Sequence, residues 1–400
     1  MRRARISYCL IAVTLALAGC AQVQKPIDDY IVIGMDEDST GPGASYSTIA
    51  GSTVRATVAR INAEGGINGK QVRLVVENDE SNPTNTPSII RKLVDQGASA
   101  VILSTGSGSA LAAKQISQST RIVTIAPTAL TDSVAGPPGN EFAYMVPNPL
   151  AQYADVYCGA FAEQGKKRLG VLADSSPAIA GILGTLEPEL RQCIDVVDTS
   201  KAAVDTADLT ASVSRLLGSD PDVVLVASVG GNFELLAQNT LHRLAPGLQR
   251  FSLASIGNQP QSWKLAEHGA LDGLVYMGSL SDDNHRTEQT QAWLRTVKGA
   301  NYSMTAYDAQ AYDSVMLLKR AIELAGTHTD PELLNRAMQE IHEVPASFGQ
   351  APLTLSFTPD KHIAPDSVCG LVLIAFGADN TPTGPWPQYQ PACTTRGSDR

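Results

Sequence analysis

The stretch Ser104-Thr105-Gly106-Ser107-Gly108-Ser109 concentrates four hydroxyls and two glycines between an apolar run and a helical pattern. A loop that leaves the carboxyl end of a strand and opens a helix collects unpaired backbone N–H groups, and hydroxyls add further donors. That chemistry suits a carboxylate or a carbonyl oxygen. The same residues also suit a plain turn with a serine helix cap, so both readings stand at this point. No catalytic pattern surrounds the loop. Ser107 is not in a Gly-x-Ser-x-Gly elbow, because Thr105 and Ser109 occupy the flanking glycine positions. Gly69-Lys70 does not form a phosphate loop, since Glu64 and Gln71 stand where a glycine and a Ser or Thr are needed. Gly41, Gly43 and Tyr46 fall on a dinucleotide-binding spacing that lacks its third glycine. His242, His268, His285, His328, His342 and His362 are scattered, with no metal-binding pair, and are expected at the surface. No metal, cofactor or enzymatic activity is expected.

These residues sit in a chain of 400 residues, which suits two lobes of about 150 residues each. The hydrophobic fraction of 43% supplies core, and the net charge of −10 argues against a nucleic-acid partner. Arg2, Arg3 and Arg5 followed by the apolar run 6–18 form a secretion signal over 1–19, because the run is shorter than the roughly 20 residues that span a bilayer. Leu17-Ala18-Gly19-Cys20 looks like a bacterial lipobox, which implies lipid addition at Cys20 and a polar tether over 20–29. The expected location is therefore extracytoplasmic, lipid-anchored to the cell membrane. Cys9 leaves with the signal, so the exported domain keeps Cys158, Cys193, Cys369 and Cys393. An even number in an oxidising compartment reads as structural staples. Of three possible pairings, the sequential one, Cys158–Cys193 and Cys369–Cys393, is favoured because each pair would lie within one lobe.

Strand and helix patterns alternate along the chain. Apolar strands are expected at 30–35, 72–77, 100–103 and 122–125, with helices at 48–64, 87–96 and 111–118 between them. A crossing at 144–149 restarts the pattern, with strands at 169–173, 194–197, 223–227, 251–253 and 273–277. A second crossing near 278–283 leads to helices at 288–298, 306–325 and 331–341 and a tail with β-like alternation over 348–376. Nearly continuous apolar strands between helices indicate parallel sheets buried on both faces. The fold class is therefore α/β, with two doubly wound parallel-sheet lobes joined by crossover strands. One lobe is expected to hold 30–147 and 279–350, the other 148–278 and 351–400.

Several segments carry a family likeness: Ile31-Val32-Ile33-Gly34, then Thr40-Gly41-Pro42, then Arg60-Ile61-Asn62-Ala63-Glu64-Gly65-Gly66-Ile67-Asn68-Gly69-Lys70. Together with 74–79, Lys92-Leu93-Val94, the 104–109 loop and Ile125-Ala126-Pro127-Thr128, they resemble the branched-chain amino-acid-binding proteins. These are type I periplasmic binding proteins, the substrate-binding lipoproteins of ABC importers. The likeness runs over roughly 30–330. The Asn-Ala-x-Gly-Gly-Ile-Asn-Gly-Lys stretch is architectural: its glycines end a helix and its Asn-Gly turns the chain. The resemblance implies a ligand carboxylate held by Ser107, further polar contacts at Thr128, and an aromatic cover from Tyr46, which also suits a core role. Leu130 stands where the family often has a threonine, with Thr131 beside it.

The second lobe departs from the family. Its aromatics fall near Ala178 and Val229, and the carboxylate that receives a ligand ammonium aligns with Ser255. A buried ammonium without a counter-charge is costly. Either Asp174, Glu234, Asp36 or Asp38 replaces that carboxylate, or the ligand is an amide, carboxylate or apolar molecule instead of an α-amino acid. The resemblance implies capture by hinge closure and delivery to ABC permease and ATPase subunits. A sensor reporting to a regulatory partner and a cell-envelope hydrolase are the other readings.

Overall fold

The computed structural model describes residues 30–393. The expected signal, Cys20 and the tether lie outside the described residues. The first sheet takes β1 (Tyr30–Glu37), β2 (Gln71–Glu77), β3 (Ala100–Ser104), β4 (Val123–Ala126) and β5 (Ala143–Met145) in the order β2-β1-β3-β4-β5, all parallel. Helices α1 (Ala44–Ala63), α2 (Thr86–Asp95) and α3 (Ser107–Thr120) connect the first four strands. α1 stops where Gly65, Gly66, Asn68 and Gly69 all take positive φ. A Cβ on Gly66 would lie 1.9 Å from the Lys70 carbonyl oxygen, so only glycine fits that reversal.

The second lobe restarts with α4 (Leu150–Glu163), β6 (Arg168–Asp174), α5 (Pro177–Leu190), β7 (Asp195–Ala202), α6 (Thr210–Gly218), β8 (Val223–Ala227) and α7 (Gly231–Leu244). β9 (Gln249–Ser252), the short α8 (Pro260–Trp263) and β10 (Val275–Gly278) follow. The chain then returns to the first lobe with α9 (His285–Lys298), α10 (Ala306–Ala325), α11 (Pro331–Gln339) and the small β11 (Val344–Pro345) and β12 (Thr354–Leu355) pair. It ends on the second sheet with β13 (Val372–Phe376) and β14 (Pro382–Pro385), giving the order β14-β13-β10-β9-β8-β6-β7. The last two strands run antiparallel and extend an otherwise parallel sheet.

Each sheet is covered on both faces, which is why its strands read as unbroken apolar runs. Ile33, Met35, Ile102 and Ile125 pack under α1 and α10, while Val32, Val101 and Leu103 face α2 and α3. In the second lobe Val171, Leu225, Phe251 and Met277 pack against α4 and α5, and Leu172, Val224 and Val226 against α6 and α7. Each such side chain contributes ~1.5–3 kcal/mol on burial, so these layers fix the positions of the strand ends.

Three sequence expectations change. The segment read as the start of a crossing contains β5, because Ala143, Tyr144 and Met145 pair with β4 before the chain leaves. The boundary at 351 moves later, since Leu353, Leu355, Phe357, Ala364 and Cys369 all join the first lobe's core. Alternating residues reveal a strand-like segment but not which sheet receives it. His362 is buried instead of exposed: it stacks on Tyr144 at 4.4 Å and bonds the Ala143 carbonyl at 3.1 Å. Burial holds its imidazole below the usual histidine range, hence neutral. The disulfides pair as Cys158–Cys193 and Cys369–Cys393. Both cysteines of the second pair pack against the first lobe's core, Cys369 within it and Cys393 against it.

Candidate functional site

The carboxyl ends of β1, β3 and β4 form one wall. α3 starts at Ser107 itself, with Gly106 as its cap residue, so the serine-cap reading of Ser107 is not realised. Its Oγ instead accepts the backbone N–H groups of Leu130 at 3.0 Å and Thr131 at 3.4 Å. The hydroxyl proton therefore stays available, beside first-turn N–H groups that have no intrahelical partner. Thr128 Oγ1 donates to the Thr105 carbonyl at 2.8 Å, leaving its lone pairs as acceptors. Thr105 in turn donates to Asp38. Ser104 and Ser47 exchange hydroxyl-to-carbonyl bonds and pin α1 to β3.

Tyr46 on α1 leans over this wall. A Cβ on Gly106 would meet the Tyr46 hydroxyl at 2.7 Å and one on Gly43 at 2.9 Å, so both glycines make room for it. Burial pushes its phenol well above the ordinary tyrosine range. Its ring lies 5.7 Å from that of Tyr307, in the first turn of α10. Tyr307 is a further candidate for the site, one that sequence reasoning missed. A helix at 306–325 was legible from its period, but the direction of its first aromatic depends on α10 packing against α1.

The second wall comes from β6, β8 and β9. The Ser255 hydroxyl donates to the Ser228 carbonyl at 2.9 Å. Gln259 accepts the Gly231 N–H at 2.7 Å and donates to the Val229 carbonyl at 3.3 Å, which ties the loops after β8 and β9 together. Val229 donates its N–H to Asp174, whose other oxygen accepts the Ser176 N–H at 2.9 Å. Val229 and Ser255 are thus brought together. Ala178 is exposed on the first turn of α5, linked to them only through the Asp174 and Ser176 contacts.

The four acids considered as an ammonium partner are all committed or enclosed. Both Asp174 oxygens hold backbone N–H groups. Glu234 is buried and accepts Ser228 and Ser252 hydroxyls at 2.5 Å each and the Gln238 amide at 2.9 Å. Burial raises its carboxyl, and those three donors oppose the rise. Asp36 is fully buried with no well-formed hydrogen bond on either oxygen. Burial, with Asp79 and Asp38 adding repulsion, pushes it up to about 9. Asp38 is pushed up to about 7, by burial first and then its contact with Asp79. Among the described residues no His, Cys, Asp and Glu group is arranged to hold a metal ion, and no helix is long and apolar enough to cross a membrane. Two surface cavities lie at the opposite pole of the first lobe, at the amino ends of its strands, around Ile31, Ile67 and Ile122. They are remote from the loops described above.

The periplasmic binding protein family matches residues 30–367. The Leu/Ile/Val-binding protein BraC3 of Rhizobium johnstonii is 24% identical over 323 residues, covering 80% of this chain and 86% of its own. The Leu/Ile/Val-binding protein homolog 3 of Brucella melitensis is 23% identical over 360 residues, covering 89% and 93%. Among solved structures, the isoleucine complex of the branched-chain amino-acid transporter substrate-binding protein LivJ of Streptococcus pneumoniae superposes with a TM-score of 0.75 at 18% identity, covering 89% of this chain and 98% of its own. The type 1 periplasmic binding protein of Bordetella pertussis gives a TM-score of 0.73 at 20% identity, covering 87% and 96%. Two doubly wound lobes with polar loops at the strand carboxyl ends, and a match over nearly all the described residues, lead to one conclusion: this chain belongs to the periplasmic binding protein family.

Proposed function

We propose that the protein is an extracytoplasmic solute-binding lipoprotein of an ABC importer, anchored through Cys20, which closes its two lobes around one small ligand and delivers it to permease and ATPase subunits. Tyr46, Ser107 and Thr128 line the first side of the ligand site, with Tyr307 beside them. Ala178, Val229 and Ser255 line the second. A ligand that touches both sides favours the closed form by its differential affinity for that form.

The observation that supports this reading most is the state of the Ser107 hydroxyl. Two N–H groups occupy its oxygen, and among the described residues the hydroxyl donates to no acceptor. A free hydroxyl proton beside unpaired helix N–H groups suits a carboxylate or amide oxygen. The Rhizobium johnstonii relative is by name a Leu/Ile/Val-binding protein, and the LivJ structure is a complex with isoleucine. In this chain the oxygens of Asp174 and Glu234 are already hydrogen-bonded within their own lobe, burial raises Asp36 and Asp38, and Ser255 stands where the family has its carboxylate, so an α-ammonium group is poorly matched. The ligand is therefore a carboxylate or amide that carries no free ammonium.

Thermal-shift and calorimetric titrations with leucine, isoleucine and valine, against 4-methylvalerate and its amide, test this. A ligand at a hundred times its dissociation constant stabilises by ~2.7 kcal/mol. Stabilisation by the acid or amide, with little from the amino acids, is the expected result. Strong stabilisation by leucine would overturn the ligand class, and failure of every small organic acid, amide and amino acid would overturn capture itself.

A further inference from the structure

A hydrogen bond away from the crossing segments joins the two lobes: the Ala306 N–H donates to Asn258 Oδ1 at 2.9 Å. Ala306 is the first residue of α10, and its N–H is one of the donors a helix cannot satisfy itself. The helix's own cap deals with its neighbours. Thr305 Oγ1 accepts the Asp308 N–H, and Asp308 accepts the Thr305 N–H at 2.8 Å. The Ala306 donor is left to the other lobe.

Asn258 is built for that task. Its Nδ2 donates to the Ala254 carbonyl at 3.0 Å, which turns Oδ1 toward α10. Its own N–H closes a tight turn onto the Ser255 carbonyl at 3.2 Å, and Trp263 Nε1 fastens the same turn through the Ile256 carbonyl at 2.8 Å. Asn258 and Ala306 are both buried. Tyr307, the next residue along α10, holds its ring 5.7 Å from that of Tyr46. The turn that presents Ser255 to the ligand site thus holds, three residues later, the helix whose aromatic faces Tyr46.

We propose that Asn258 is a positioning residue that latches the cleft: it supplies the missing cap of α10 across the lobe boundary and so biases the ligand-free protein toward closure. Opening strips the Ala306 N–H of its acceptor. A ligand that draws in the Ser255 turn restores the acceptor, which couples ligand contact to closure without Asn258 touching the ligand. The proposal rests on the hinged-capture reading, but its test needs no ligand.

Hydrogen exchange at Ala306 and small-angle scattering, both on the ligand-free protein, are measured for the wild type, Asn258→Ala and Asn258→Asp. Asn258→Ala is expected to speed Ala306 exchange by about tenfold, the effect of one lost buried hydrogen bond, and to enlarge the radius of gyration. Asn258→Asp keeps an acceptor for Ala306 and adds a negative charge at a helix amino end, but loses the Nδ2 bond to the Ala254 carbonyl, so its protection and radius fall between those of the wild type and Asn258→Ala. Should Asn258→Ala fail to fold, Ala306 exchange in Asn258→Asp more than about tenfold above wild type would count against the latch. Wild-type exchange and radius in Asn258→Ala would overturn it. A protein that shows the latch yet binds none of the titrated compounds would sink the ligand reading and leave the latch standing.

Discussion

Asp36 in the first lobe and Glu234 in the second are both fully enclosed carboxyls near the ligand-facing ends of central strands, yet their surroundings are opposite. Glu234 accepts two hydroxyls and an amide, and Gln238 passes the contact on to the buried Arg250 at 3.3 Å. Asp36 has no well-formed partner and stands against Asp38, Asp79 and Glu77. The second lobe stabilises its acid by hydrogen bonds, whereas the first lobe keeps its acid protonated. Burial raises both carboxyls, but donors oppose the rise at Glu234 and like charges add to it at Asp36, so equal burial carries unequal consequences for stability.

Removing each acid is the most direct way to break this comparison. Glu234→Ala should cost about 3 kcal/mol in denaturant unfolding, because the Ser228 and Ser252 hydroxyls and the Gln238 amide lose their acceptor together. A cost below about 1 kcal/mol would show that those donors find other partners. Asp36→Asn should act in the other direction, with a gain of about 2 kcal/mol at pH 8. The sign follows from linkage. A carboxyl raised to about 9 in the fold binds its proton more tightly there than in the unfolded chain, whose group titrates near 3.8. The native protein therefore loses stability as pH rises from about 4 to about 9, and Asp36→Asn flattens that loss. Because Asp38 and Asp79 share the local repulsion, the gain falls short of the full linkage value. Unfolding curves at pH 5 and pH 8 check it, and equal slopes for the two proteins would refute it.

The smallest effect sharpens the comparison at the two serines. The Ser107 hydroxyl accepts two backbone N–H groups and donates to no acceptor among the described residues, whereas the Ser255 hydroxyl donates to the Ser228 carbonyl. Ser107→Ala should weaken binding of the best-bound acid about tenfold, and Ser255→Ala less than about threefold, by calorimetric titration. The reverse order would move the anchor of the ligand to the second lobe.

Much of this architecture was legible in the residues. Glycine and Asn-Gly signals located the end of α1, and unbroken apolar runs gave most of the strands. The cysteine pairs followed from chain order. β5 was not separable from the crossing after it, because three apolar residues carry no period. The return of 353–369 to the first lobe was equally hidden, since its alternating residues suit either core. Tyr307 and Asn258 escaped because a lone aromatic and a lone amide have no sequence signature of facing a cleft.

Sequence alone determined the α/β alternation, the even cysteine set, and the hydroxyl-rich segment opening α3. These depend on residues within a turn or two of one another, where period and backbone preference decide the outcome. Only the tertiary structure decided which hydroxyl keeps its proton. Ser107 answers to Leu130, 23 residues away, and Ser255 to Ser228, 27 residues away. Hydrogen-bond capacity is spent between neighbouring strands of a sheet, and strand neighbours are set by how the whole core packs.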